Sequence, residues 1–102
     1  MTATRVCTWE FALAARVEIY TTDCCGYCSR AKALLASKGA QFTEYRAGED
    51  PEKRREMIQR SQGGYTFPQV FINGRHVGGS DDIFDLDHAG KLDPLLAEAA
   101  AA

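Results

Sequence analysis

Three of the four cysteines in this sequence, Cys24, Cys25 and Cys28, fall within five residues, while Cys7 stands apart. Bridges that stabilise a small domain close long loops, because the entropy removed grows with loop length. A Cys25–Cys28 bridge would close almost nothing, so the pair is read as chemical: redox thiols or metal ligands in a reducing, cytoplasmic compartment. With Gly26 and Tyr27 between them, Cys28 lies about one helical turn from Cys25, near enough to resolve a mixed disulfide. Unpaired amides and the macrodipole at a helix start stabilise a thiolate, which then leaves readily when a second thiol displaces it. A zinc site would need Cys24, His76 or His88 to complete it, and none of these has paired ligand spacing.

The elements around the cysteines are those that could place them at such a helix start. Residues 16–21, Arg-Val-Glu-Ile-Tyr-Thr, alternate polar and apolar in a strand-favouring composition. After the cysteines, residues 29–38 are rich in helix formers, with Ala31, Leu34 and Leu35 on one face and Gly39 beyond the end. Residues 42–46 form a second strand, giving a right-handed βαβ unit with parallel strands. Asp50 and Pro51 are the cap and first residue expected of a helix running to Gln59, whose mixed charges read as a solvated face. A hairpin follows, residues 69–72 and 75–77 around Asn73-Gly74, a pair suited to positive φ at both turn positions. Ser80 is read as the cap of a helix from Asp81 to His88, and Asp93-Pro94 opens a last one. The order βαβαββαα gives an α/β, thioredoxin-like fold: a four-stranded mixed sheet flanked by helices.

Composition sets the frame. The chain has 102 residues, 45% hydrophobic and 25% charged, with a formal net charge of -2. One globular domain is expected, with no strong positive field toward nucleic acid or an anionic membrane, and no run long enough to span a bilayer. Residues 11–15 resemble a cleavage region, but Glu10 interrupts the apolar stretch and Arg5 alone carries positive charge before it. Residues 1–15, with Cys7 and Trp9, are therefore read as a loosely ordered arm, 16–98 as the domain and 99–102 as an alanine tail.

From about Arg16 to Leu96 the sequence resembles the glutaredoxins, closely the small bacterial dithiol type. The resemblance rests on Cys25-Gly26-Tyr27-Cys28, Thr66-Phe67-Pro68, Gly78-Gly79 and Ser80-Asp81-Asp82, in that order. It implies a glutathione-dependent thiol–disulfide oxidoreductase, with Cys25 as nucleophile and Cys28 as resolving thiol. The partners implied are glutathione and glutathionylated or disulfide-containing proteins, acted on by a monomer. It further implies a cis bond before Pro68, with the Phe67 backbone pairing the cysteinyl unit of glutathione. Thr66 and Gly79 would border the same groove and Tyr27 would line it. Asp81 would take the γ-glutamyl amine, and Ser80 with the helix N-terminus its carboxylate.

The sequence also departs from the pattern. Gly26 stands where many members have proline, Thr22 where many have lysine, and Gly64 near a position often basic; Arg30 and Lys32 are the nearest candidates to compensate. Gly26 supports an alternative, in which two subunits hold a [2Fe–2S] cluster through Cys25 and bound glutathione, as a cluster carrier or redox sensor. A non-catalytic binding module fits less well, because both thiols and the groove residues are present. Cys24 is read as a packed apolar group rather than a thiol that modulates Cys25.

Overall fold

The computed structural model describes residues 15–97. The arm with Cys7 and Trp9, apart from Ala15, and the alanine tail lie outside the described residues. The elements are β1 (Val17–Tyr20), α1 (Gly26–Ser37), β2 (Phe42–Tyr45), α2 (Pro51–Arg60), β3 (Gln69–Ile72), β4 (Arg75–Gly78), α3 (Ser80–His88) and α4 (Leu92–Ala97). They form one mixed sheet in the order β2-β1-β3-β4. β1 pairs parallel with β2, Val17 opposite Phe42, and antiparallel with β3, Val17 opposite Ile72. β3 and β4 are the expected hairpin, with positive φ at both Asn73 and Gly74 and a register shift between Val70 and Phe71.

Alternation along the strands splits the core in two. On one face Val17, Ile19, Val70 and Ile72 pack against Ala31 and Leu35 of α1, Ile83 of α3 and Leu92 of α4. Ala15 joins this cluster, and its amide donates to the Leu96 carbonyl at 3.1 Å. On the other face Tyr20 and Phe71 lie under α2 with Met57 and Ala47.

The α2 helix was expected to present its charges to water, yet Glu56 and Arg60 turn toward the sheet. Arg60 donates to both Glu18 oxygens, at 2.9 and 3.2 Å, and to the Tyr20 hydroxyl at 2.8 Å, with its guanidinium 4.2 Å above the Phe71 ring. Tyr20 in turn donates to Glu56, and Tyr45 to Glu18 at 3.0 Å. Arg60 holds the Glu18 carboxyl below its ordinary range, while burial and the bond to Glu56 push Tyr20 up to about 12. With Met57 as the buried residue of α2, charged hydrogen bonds and cation–π contacts replace much of the apolar packing a docked helix normally supplies.

Among the described residues no helix is long and apolar enough to cross a membrane.

Candidate active site

Residues 21–24 carry the chain from β1 into α1, and Glu44 of β2 holds this turn from below. The Thr21 hydroxyl donates to the Glu44 carboxylate at 2.6 Å and Lys32 of α1 reaches it at 3.0 Å. These partners, the Thr21 bond foremost, hold the Glu44 carboxyl below its ordinary range. Cys24 has φ 54° and is exposed. It is not the packed apolar group expected: the left-handed turn that leads into the helix turns its side chain out to solvent.

α1 begins three residues earlier than the run of helix formers indicates, at Gly26, so the whole Cys25–Cys28 segment belongs to the helix start. Cys25 is the N-cap, in extended conformation, and its Sγ accepts the Cys28 amide at 3.2 Å. This meets one of the amides that a helix leaves without an internal partner. The two thiols differ sharply in surroundings. Cys25 is partly exposed, whereas Cys28 is 2% exposed on the buried side of the helix. Burial pushes the Cys28 thiol up to about 11, and its hydrogen bond with Cys25 pushes the same way. The arrangement presents one accessible sulfur backed by a protonated one.

Beside this turn lies an open groove of about 350 Å³. It brings together Tyr27, Thr66, Phe67, Pro68, Gly79, Ser80 and Asp81, and adds Gln69, His76, Gly78 and Asp82. The Phe67–Pro68 bond is cis. Tyr27 is 58% exposed at one wall. At the opposite end Ser80 is the first residue of α3 and not its cap, a correction to the expectation from sequence. Gly79 caps the helix, and the Asp82 carboxylate reaches back to accept the Gly79 amide at 2.9 Å. Gly78 makes room for that carboxylate: its φ is +125°, and a Cβ there would land on the Asp82 side chain. Ser80 is thereby freed from capping. Its buried hydroxyl has no hydrogen-bond partner among the described residues.

A second, polar hollow of about 280 Å³ takes in Cys25 itself, with Thr22, Cys24, Lys32, Glu44 and Arg46 among its walls. The departures at Thr22 and Gly64 have local reasons. A Cβ at Gly64 would sit 2.6 Å from the Ser61 hydroxyl, which accepts the Gly64 amide at 2.8 Å and donates to the Met57 carbonyl at 2.7 Å. A basic side chain cannot be grown there without breaking that turn. Thr22 packs directly over Gly48. Of the candidate replacements, Arg30 lies over the Phe84 ring at 5.0 Å, away from the groove lining, and Lys32 lines the hollow in its pair with Glu44. Among the described residues, the groove lining includes neither lysine nor arginine, and no group of three or more His, Cys, Asp or Glu side chains is arranged to hold a metal ion.

Sequence reasoning passed over Asp82 as a capping group, and Gln69 and His76 as groove residues. The first had a signal, an acid three residues after Gly79, which is the spacing of a capping box. The others had none, because their meeting depends on the register between β3 and β4.

The glutaredoxin family model matches residues 17–77. Glutaredoxin 3 of Escherichia coli strain K12 is 56% identical over 82 residues, covering 80% of this chain and 98% of its own. The solution structure of a glutaredoxin from Brucella melitensis superposes with a TM-score of 0.73 at 54% identity, covering 83% of this chain and 91% of the other. The crystal structure of a buckwheat glutaredoxin–glutathione complex gives 0.75 at 30% identity, covering 99% and 94%.

Proposed function

This chain belongs to the glutaredoxin family, and on that premise we propose that it is a glutathione-dependent thiol–disulfide oxidoreductase of the cytoplasm. It reduces glutathionylated and disulfide-containing proteins as a monomer, with Cys25 as nucleophile and Cys28 as resolving thiol. The observation that carries the reading is the Cys25 sulfur standing at the α1 start, accepting the Cys28 amide at 3.2 Å, with Cys28 buried behind it.

The Cys25 thiolate attacks the glutathione sulfur of a mixed disulfide. A Cys25–glutathione disulfide forms, the old S–S bond breaks, and the substrate leaves as a thiolate that takes a proton from water. A second glutathione thiolate then attacks that sulfur, releasing glutathione disulfide and restoring Cys25. For a protein disulfide, the Cys25 thiolate attacks one sulfur and breaks the S–S bond, freeing the other as a thiolate that takes a proton from water. Cys28 then gives up its proton and attacks Cys25 in the protein–Cys25 bridge, releasing the reduced protein. Two glutathiones reduce the resulting Cys25–Cys28 disulfide, leaving as glutathione disulfide. Burial of Cys28, which disfavours its thiolate, works against the second route.

Glutathione lies in the groove with Tyr27, Thr66 and Pro68 alongside and its cysteinyl backbone paired to Phe67. Its γ-glutamyl amine meets Asp81, and its carboxylate meets the α3 start near Gly79 and the unpartnered Ser80 hydroxyl. That hydroxyl supports the assignment, since a buried polar group without a partner is costly unless a ligand satisfies it. Because the groove lining among the described residues includes neither lysine nor arginine, helix amides take the place of a basic partner for that carboxylate.

Reduction of a glutathionylated peptide, coupled to glutathione reductase and titrated with glutathione, tests the reading. A saturable rate lost in Cys25→Ser and retained in Cys28→Ser is expected. A folded, inactive wild type would overturn it.

The alternative of a bridging [2Fe–2S] cluster draws its support from the open space over Gly26, where a Cβ would meet nothing within 4 Å. One chain would supply Cys25 alone, and the other ligands would come from a second copy and two glutathiones. Anaerobic reconstitution giving a brown dimer would favour it; a colourless monomer would dismiss it.

A further inference from the structure

We infer that Gln69 and His76 are positioning residues that hold the groove segment Thr66-Phe67-Pro68 in shape through a directed hydrogen-bond relay. The inference rests on the reading that this segment binds the glutathione unit of the substrate. Gln69 is the first residue of β3, directly after Pro68, and is 5% exposed. Its side chain folds back along the chain. Nε2 donates to the Thr66 carbonyl at 3.0 Å and to the Thr66 hydroxyl oxygen at 3.1 Å, while Oε1 lies 2.6 Å from His76 Nε2.

The direction of this relay follows from chemistry. A backbone carbonyl only accepts, so the amide nitrogen of Gln69 must face Thr66 and its oxygen must face His76. An amide oxygen also only accepts, so His76 must carry a proton on Nε2. One residue's tautomer is thus set by a carbonyl ten positions earlier in the chain. The histidine end rests on the sheet: His76 is exposed, but its ring lies against the fully buried Phe71 at 5.0 Å between centroids. The relay therefore ties a loop that meets ligand to the core of the sheet. Removing His76 leaves the buried Gln69 oxygen without its partner, and removing Gln69 releases the Thr66 carbonyl and hydroxyl; either change lets the Phe67 backbone drift from its pairing position. The loss should fall on binding and leave the chemistry at Cys25 untouched.

The test compares wild type with Gln69→Leu, His76→Phe and His76→Gln. The phenylalanine keeps the stack on Phe71 without a donor, whereas the glutamine restores an N–H at matching reach. At saturating glutathione, KM for a glutathionylated peptide should rise about tenfold in Gln69→Leu and three- to tenfold in His76→Phe. Throughout, kcat should stay within twofold, and His76→Gln should return KM to within twofold of wild type. Long-range proton–nitrogen spectra at pH 8 should show His76 as the Nε2–H tautomer. The Phe67 amide resonance should move in His76→Phe and return in His76→Gln. A bare Nε2 on His76, unchanged KM in both His76→Phe and Gln69→Leu, or a fall in kcat with KM constant would overturn the relay. If wild type itself fails to turn over the peptide, the functional reading falls, and the tautomer with the Phe67 amide then decides the relay alone.

Discussion

Beneath α1 and α3 the sheet offers Val17, Ile19, Val70 and Ile72 to Ala31, Leu35 and Ile83. Beneath α2 it offers Tyr20 and Phe71 to Met57 and to a lattice of Glu18, Arg60 and Glu56. The first face is held by removal of apolar area from water, worth about 25 cal/mol per Å² and indifferent to protonation. The second is held by directed bonds to charged groups, which weaken as those groups titrate. The site draws on both. The helix that carries both thiols is rooted in the aliphatic face, and the groove segment is tied through Gln69 and His76 to Phe71 on the other. The Cys25–Cys28 turn and the groove beside it should therefore respond differently to the same change in solvent.

Four measurements bear on this contrast. Leu35→Ala, at a fully buried position, should cost the most, about 3 kcal/mol, by loss of buried area plus a cavity. The cost should be equal at pH 7 and pH 4 in urea unfolding; a cost that shrinks in acid would show that the aliphatic face is not independent of the charged one. Arg60→Met should cost about 1–2 kcal/mol at pH 7, since Glu18 and Tyr20 each lose a donor. That loss should shrink in acid. Glu18 and Glu56 are held below the ordinary carboxyl value of 4.5. Below that value the unfolded chain binds more protons than the folded one, so their contribution is full above it and fades as pH falls. An Arg60→Met penalty constant from pH 7 to pH 3 would refute the assignment.

The alkaline limb should show a smaller effect of the opposite sign. Cys28 is raised from 9.0 to about 11, so the unfolded chain ionises first and stability declines as pH climbs between those values. Comparing urea midpoints at pH 8 and pH 10.5 should show that decline softened in Cys28→Ser, and an identical decline would contradict the burial argument. Cys24→Ser, outside both faces, should change stability by less than about 0.5 kcal/mol at any pH, because its side chain is exposed. A larger change in the urea midpoint would place Cys24 in a contact with the core after all.

Much of the scaffold was legible because local and tertiary demands agree. The β1 alternation, the Asn73-Gly74 turn and the Asp50-Pro51 helix start each carry a physical signature within a few residues. Legibility failed where distant groups decide. Gly26, Tyr27 and Cys28 are poor helix formers by propensity, yet they are helical because the Cys25 sulfur caps them and Cys28 packs inward. Ser80 looks like a cap, but Asp82 accepts the Gly79 amide in its stead. The α2 charges look solvated until the sheet places Glu18 and Tyr20 beneath them. The groove residues could be named from sequence, whereas the Gln69–His76 support behind them needed the fold.

The Cys25 sulfur closes the end of a helix, so under the proposed mechanism each turnover would also change how well that end is capped. A thiolate is a strong acceptor for the Cys28 amide and a disulfide sulfur a poor one, so mixed-disulfide formation loosens the first turn of α1 and regeneration tightens it. Solvent exchange at the Cys28 amide thus becomes a clock hand for the catalytic cycle, readable without following any product. It also bears on how inactive variants are chosen. Serine at position 25 silences the sulfur chemistry while keeping a cap, whereas alanine removes the cap along with the chemistry, and the two should not be taken as equivalent controls.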